Sequence, residues 1–192
     1  MSMKITKLVL VIGAMAMAGG AMAAGSDSMG TAAVNATVLA PIVITKNVDL
    51  NFGTFAPDKE TAGTVVIAAT NGARSVSGGV FVPSTATAAA GAAASFGIAG
   101  DAGATFSIAL PTSDITLTNL TGAGGETMSV AATSLTAAVG GASVAITSGA
   151  GTSALISGAA TLTVGGTLTV GLNQVPGVYT NAAGLPVTVA YN

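Results

Sequence analysis

Residues 161–172 read Thr161-Leu162-Thr163-Val164-Gly165-Gly166-Thr167-Leu168-Thr169-Val170-Gly171-Leu172, a Thr-Leu-Thr-Val-Gly unit written twice around a glycine pair. Apolar and hydroxyl-bearing residues alternate with period two, which is the pattern of a half-buried β-strand. Two readings of the glycine pair follow. A hairpin with a two-residue turn at Gly165-Gly166 would set Val164 against Thr167 and mix apolar with polar on each face. A three-residue loop through Thr167 instead pairs Val164 with Leu168 and Leu162 with Val170, restoring one apolar face. The other reading is a single long strand kinked at the glycines, since the alternation keeps its parity through residues 162 to 172. Both are β.

The same period recurs at Val34-Asn35-Ala36-Thr37-Val38, Phe106-Ser107-Ile108-Ala109-Leu110, Ile115-Thr116-Leu117-Thr118 and Val187-Thr188-Val189-Ala190-Tyr191. Glycine-rich breaks separate such segments: Gly78-Gly79, Gly100-Asp101-Ala102-Gly103, Gly122 to Gly125, Gly140-Gly141 and Gly149-Ala150-Gly151. Short strands with turn signals every ten or so residues predict an all-β sandwich or barrel. The Ala-rich stretch Ala86 to Ala94 is flanked by Thr and Gly and reads as a loop.

Upstream of the first break, Lys4 and Lys7, an apolar run from Leu8 to Ala18 and the Ala21-Met22-Ala23 site predict a signal peptide over residues 1–23. The run is shorter than a membrane anchor needs and ends in Gly19-Gly20. Residues 24–192 then form one β-sandwich domain, exported to the periplasm, cell surface or medium. Its cations are Lys46, Lys59 and Arg74, against seven carboxylates. Such a balance cannot track a phosphate backbone, so no nucleic acid is expected as partner.

The chain has no Cys, His or Trp and is 6% charged. That composition excludes a Ser-His-Asp triad, a Cys nucleophile, and zinc or haem held by His or Cys. Disulfides are excluded too, so packing and backbone pairing must carry stability. Gly149-Ala-Gly151-Thr-Ser-Ala154 fits a loose dinucleotide fingerprint, but the acidic residue expected about twenty positions on is missing, because no charged residue follows Glu126. No Gly-Lys dipeptide exists for a P-loop. Asp58 and Glu60 share the turn-like Pro57-Asp58-Lys59-Glu60-Thr61 rather than opposite walls of a cleft. Asp101 alone is a poor calcium ligand set and reads as a polar turn residue. These observations predict a non-enzymatic protein with no cofactor and no metal.

Charge is also unevenly placed. From Thr127 to Asn192 there is no Asp, Glu, Lys or Arg, although several strands fall there. Edge strands are usually guarded by charge, especially lysine. Either Thr, Ser and Asn keep this surface soluble with loops over the edges, or an edge is left open for a neighbour's strand.

Val34-Asn-Ala-Thr-Val-Leu-Ala-Pro-Ile42, Asp49-Leu-Asn-Phe-Gly-Thr-Phe55, Gly72-Ala-Arg-Ser75, Ala104-Thr-Phe-Ser-Ile-Ala-Leu-Pro111, Pro176-Gly-Val-Tyr179 and Pro186-Val-Thr-Val-Ala-Tyr191 carry a resemblance. They look like a family of secreted bacterial domains of unknown function, similar in turn to spore coat protein U and, more distantly, to chaperone–usher pilins. The pilin resemblance implies an immunoglobulin-like (pilin-like) sandwich lacking its last strand. It implies a groove beside the C-terminal strand around Val187, Val189 and Tyr191, filled by a neighbour's Ala32, Val34, Ala36 and Val38. It also implies self-association into a fibre and a periplasmic chaperone and usher as assembly partners. The cysteine pair common in pilins and coat protein U is missing, and Val34 to Val38 reads equally as the sandwich's own first strand.

Three non-enzymatic classes compete. They are a structural subunit of a surface fibre or coat, a monomeric secreted adhesive module, and an outer-membrane barrel. The barrel is disfavoured because 4% aromatics cannot furnish two interfacial girdles. An adhesive module would want clustered exposed aromatics, whereas Phe52, Phe55, Phe81, Phe96, Phe106, Tyr179 and Tyr191 mostly fall at strand-like core positions. The chain is therefore expected not to span a membrane. Mass spectrometry of the exported protein is expected to find Ala24 as its first residue; a retained leader would remove the export reading.

Overall fold

The computed structural model describes residues 29–84, 88–122 and 125–192; the leader read at residues 1–23 lies outside them. The chain divides into two units, residues 1–37 and 38–192. Within the first unit, residues 29–37 form no strand and are exposed. The strand expected at Val34 to Val38 is therefore not formed. Period two makes a segment able to pair, but a ladder needs a second edge, and among the described residues none pairs with this one.

The second unit is all-β. Its strands are β1 (Val43–Val48), β2 (Ala56–Pro57), β3 (Gly63–Ile67), β4 (Arg74–Gly78), β5 (Val80–Phe81), β6 (Ala94–Ala99), β7 (Thr105–Ala109) and β8 (Ile115–Asn119). They continue as β9 (Thr127–Val130), β10 (Thr136–Val139), β11 (Ala142–Val144), β12 (Ala150–Ala154), β13 (Ala159–Val170), β14 (Tyr179–Thr180) and β15 (Thr188–Tyr191). A 3₁₀ turn at Ala132–Ser134 joins β9 to β10. Every named ladder is antiparallel.

Strand β13 decides the architecture, and it is the single long strand of the two readings. Residues 159–164 pair with β6 on one side, while β10 pairs with residues 162–165. From Gly166 onward the same strand changes neighbours, pairing with β3 and β9. Outward from these lie β1 beyond β6, β11 beyond β10, β4 beyond β3, and β8 then β14 beyond β9. Leu162, Val164, Leu168 and Val170 keep one parity through the glycine pair and are all at most 1% exposed. Burial of each contributes about 1.5–3 kcal/mol.

Neither glycine of the pair needs a left-handed backbone. Gly165 is needed for room, because a β-carbon there would collide with the Ile67 carbonyl and lie 2.7 Å from the Ala69 nitrogen. The ends of two ladders thus meet where no side chain fits between them.

A three-stranded sheet, β12-β7-β15, completes the core with Phe106 and Ile108 of β7 at 0% exposure. It lies beside the larger sheet at both ends, β12 next to β11 and β15 next to β1. One apolar cluster runs through both sheets, from Ile98 and Leu162 to Phe106 and Leu155. Glycine breaks fall between strands as expected at Gly100–Gly103 and Gly140-Gly141, and Gly78 ends β4 with Gly79 following it; residues 123–124 of the break read at Gly122 to Gly125 lie outside the described residues. The dinucleotide-like Gly149–Ala154 is a turn at Gly149 followed directly by β12, with no helix. Of the loop read at Ala86 to Ala94, residues 88–93 carry one isolated bridge, Asn51 to Ala92, and Ala94 opens β6. Phe81, expected in the core, is 58% exposed, whereas the other six aromatics are buried or half-buried.

Gly165→Val is expected to cost more than about 2 kcal/mol, since it forces backbone apart. Gly97→Ala in β6, where the nearest atom to a β-carbon is 3.6 Å away, is expected to stay within about 1 kcal/mol. Urea midpoints compare the two; equal responses would remove the crossing as a special constraint.

Candidate functional site

The site begins where the two sheets meet at β1 and β15. Strand β15 pairs with β7 in a register that places Val189 opposite Ile108 and Tyr191 opposite Phe106. The Asn192 N–H donates to the Thr105 carbonyl at 3.3 Å in that register. Antiparallel alternation then turns the N–H and C=O of Val189 and Tyr191 away from β7. Among the described residues no strand pairs with that outer edge, and none pairs with the outer edge of β1.

A hydrogen-bonded clamp closes one end of this seam. The Tyr191 hydroxyl donates to the Ala40 carbonyl at 2.9 Å and accepts from the Asp101 N–H at 2.8 Å. The Asp101 carboxylate in turn accepts from the Ala40 N–H at 2.9 Å. Both backbone groups of Ala40 are therefore held. Gly100 makes space for the tyrosine, because a β-carbon there would collide with its hydroxyl.

Away from the clamp the walls part around a cleft of about 560 Å³. The end of β1 and the residues after it, Lys46 to Phe52, form one wall, and Tyr179 to Leu185 form the other. Phe96, Ile115, Leu117 and Val130 lie between them. A second cleft of about 460 Å³ shares Leu50, Phe52, Leu117 and Tyr179 with the first and continues to Pro57 and Gln174. The residues they share, Leu50, Phe52, Leu117 and Tyr179, belong to the core cluster or pack on it.

The walls are shaped by backbone-directed hydrogen bonds. Asn51 accepts from the Gly53 N–H at 2.7 Å, and Gly53 sits at φ +74°, giving a tight turn. Arg74 donates from one guanidinium nitrogen to the carbonyls of Phe52, Thr54 and Ala89 at 3.2, 3.1 and 3.3 Å. On the opposite wall the Tyr179 hydroxyl donates to the Val175 carbonyl at 2.7 Å and accepts from the Gln174 amide at 2.8 Å. The Asp-Leu-Asn-Phe-Gly and Gly-Ala-Arg-Ser stretches are thus two parts of one structural lock.

Val187, Val189 and Tyr191 are half-buried and pack on the core with their main chain toward the open edge. They do not line the cleft, which lies beside the segment leading into β15 rather than beside β15 itself. Ala32, Val34 and Ala36 belong to the first unit and are exposed, and Val38 in the second is 92% exposed. Val189 and Tyr191 thus lie on β15, with Val187 immediately before it. Asp58 accepts from the Glu60 and Thr61 N–H groups, so that pair is a turn. Sequence reasoning missed the bond between Asp101 and Ala40, whose partners are 61 positions apart, and the Arg74 lock. No local pattern marks either one.

The fold and seam define an antiparallel all-β domain with an exposed N-terminal segment and an unpaired C-terminal edge. Residues 42–191 match the family described as Domain of unknown function (DUF4402), and the chain belongs to that family. Neither the curated proteins nor the solved structures give a match. Among the described residues no helix is long and apolar enough to cross a membrane.

Tyr191→Phe strands the Ala40 carbonyl and the Asp101 N–H, and is expected to cost about 1–2 kcal/mol. Hydrogen exchange at Asp101 should quicken in the variant; unchanged exchange and stability would mean that the clamp holds nothing.

Proposed function

We propose that this chain is an exported, non-enzymatic structural subunit of a bacterial surface fibre, pilus-like or coat assembly, joined by β-strand complementation. The sandwich on this reading is immunoglobulin-like, with the seam between β1 and β15 left open for a donated strand. One observation carries it: Val34 and Val38, at 96% and 92% exposure, sit in a period-two segment with no strand partner among the described residues. Burying each valine contributes about 1.5–3 kcal/mol, and an added strand satisfies its own backbone groups as well as the edge it meets.

The structure also bears on which role Val34 to Val38 plays. With β1 beginning at Val43, the sandwich starts without that segment, which leaves it free as an extension. The uncharged β15 supports the same reading, since it lacks the lysine that usually deters a partner. A periplasmic chaperone and usher fit as partners that shield an open edge before assembly. The adhesive alternative has less support, because Phe81 is exposed without another exposed aromatic beside it in a cluster.

The chain expressed from Ala24 is expected to form concentration-dependent multimers, visible by light scattering and electron microscopy. V34D/V38D is expected to abolish them with the β circular dichroism spectrum intact. A wild-type chain that stays monomeric, indistinguishable from the double variant, would overturn the proposal.

A further inference from the structure

The cleft of about 460 Å³ that runs on to Pro57 and Gln174 lies wholly within the second unit. Its volume falls within the roughly 300–1,000 Å³ of small-ligand pockets. Which groups of its walls remain free decides what it can hold. Among the described residues, none that lines it is charged. The Arg74 guanidinium that holds one wall is engaged with the carbonyls of Phe52, Thr54 and Ala89.

The polar groups of the walls are engaged as well. Asn51 exchanges both main-chain bonds with Ala92, and the Thr54 N–H donates to the Ala89 carbonyl at 3.0 Å. The Gly53 N–H donates to the Asn51 side chain and the Ala89 N–H to the Thr54 hydroxyl. Leu117 is paired with Met128 in the β8–β9 ladder, and Leu168 stands between β3 and β9. On the other wall the Val178 N–H donates to the Thr121 hydroxyl, while its carbonyl accepts from the Leu120 N–H. The Tyr179 hydroxyl ties the Gln174 amide to the Val175 carbonyl, and Pro176 has no N–H to offer.

An extended peptide laid in this cleft would bury an N–H and a C=O at nearly every residue against groups already paired, which is costly. A hydrocarbon chain has no such groups and gains from every methylene taken out of water. Leu50, Phe52, Phe55, Leu117, Met128 and Leu168 supply apolar contact, and the unbranched Met128 side chain adapts to the course of a tail. At the mouth, Val175 and Val178 line the cleft and are exposed, and the bond from Leu120 to Val178 sets a further exposed apolar side chain beside them.

We propose that this cleft binds the alkyl tail of a single-chain lipid of the fatty-acid type, with its polar head in water beyond Val175 and Val178. The inference does not rest on the strand-complementation reading, since the residues that line the cleft all lie between Leu50 and Tyr179.

The chain from Ala24 is expected to bind N-phenyl-1-naphthylamine with enhanced fluorescence, and dodecanoate below its micelle concentration is expected to displace the dye saturably. V178D, which puts a carboxylate at the mouth, is expected to weaken dodecanoate at least about tenfold with the β circular dichroism spectrum intact. I156D, which alters an exposed isoleucine outside the lining, is expected to leave the affinity unchanged. Absence of displacement, or equal weakening by the two variants, would overturn the proposal. Binding to phosphatidylcholine vesicles without displacement by dodecanoate would make this face a bilayer contact. Dye release on raising the chain's own concentration would make it a contact between copies; either result overturns the single-tail inference. V34D/V38D is expected to bind dodecanoate as the unaltered chain does, which separates lipid binding from assembly, and loss of binding in that variant would count against the cleft as the site.

Discussion

The structure depends on one close approach, that of β13 at Gly165 to the backbone of Ile67 and Ala69. Because no side chain stands there, a single strand of 12 residues leaves one pair of neighbours and takes up another without interruption. The apolar parity of Leu162, Val164, Leu168 and Val170 passes through the crossing unchanged, so both halves face one core. Packing interiors are dense enough that even one extra methyl at such a point is felt.

With so few charges, the carboxylates that remain act on the backbone. Asp58, Asp101 and Asp114 accept main-chain N–H groups of Glu60 and Thr61, of Ala40, and of Ala132. The exposed Lys46–Asp49 pair contributes about 0–1 kcal/mol. The fold is thus held by ladders and apolar burial, with acidic groups pinning loops. The uncharged C-terminal third is consistent with this, as most of its edges are managed by geometry: β11 lies beside β12, and β14 is two residues long. Strand β15 is the edge that geometry does not cover.

Strands β7, β8 and β15 lie where period two places them. That period reports which side chains share a face, and burial of that face is what makes the strand pay its conformational entropy. It does not report whether a partner edge exists, which is why Val34 to Val38 satisfies the pattern and yet pairs with nothing among the described residues. Phe81 fails for a related reason. It lies in a two-residue strand paired with Ala56, outside either large sheet, so no opposing layer covers it.

From the sequence alone come the all-β class, the lack of His and Cys chemistry and the parity of the buried face in β7, β8, β13 and β15. These are local properties, set by side-chain alternation and by which residue types are present. Tertiary structure decided that Gly165-Gly166 is a crossing and not a turn, that Arg74 locks the Asn51–Gly53 turn, and that Tyr191 and Asp101 clamp Ala40. Each of these joins groups far apart in the chain through contacts a few ångströms long, and spacing along a sequence carries no information about distances of that kind.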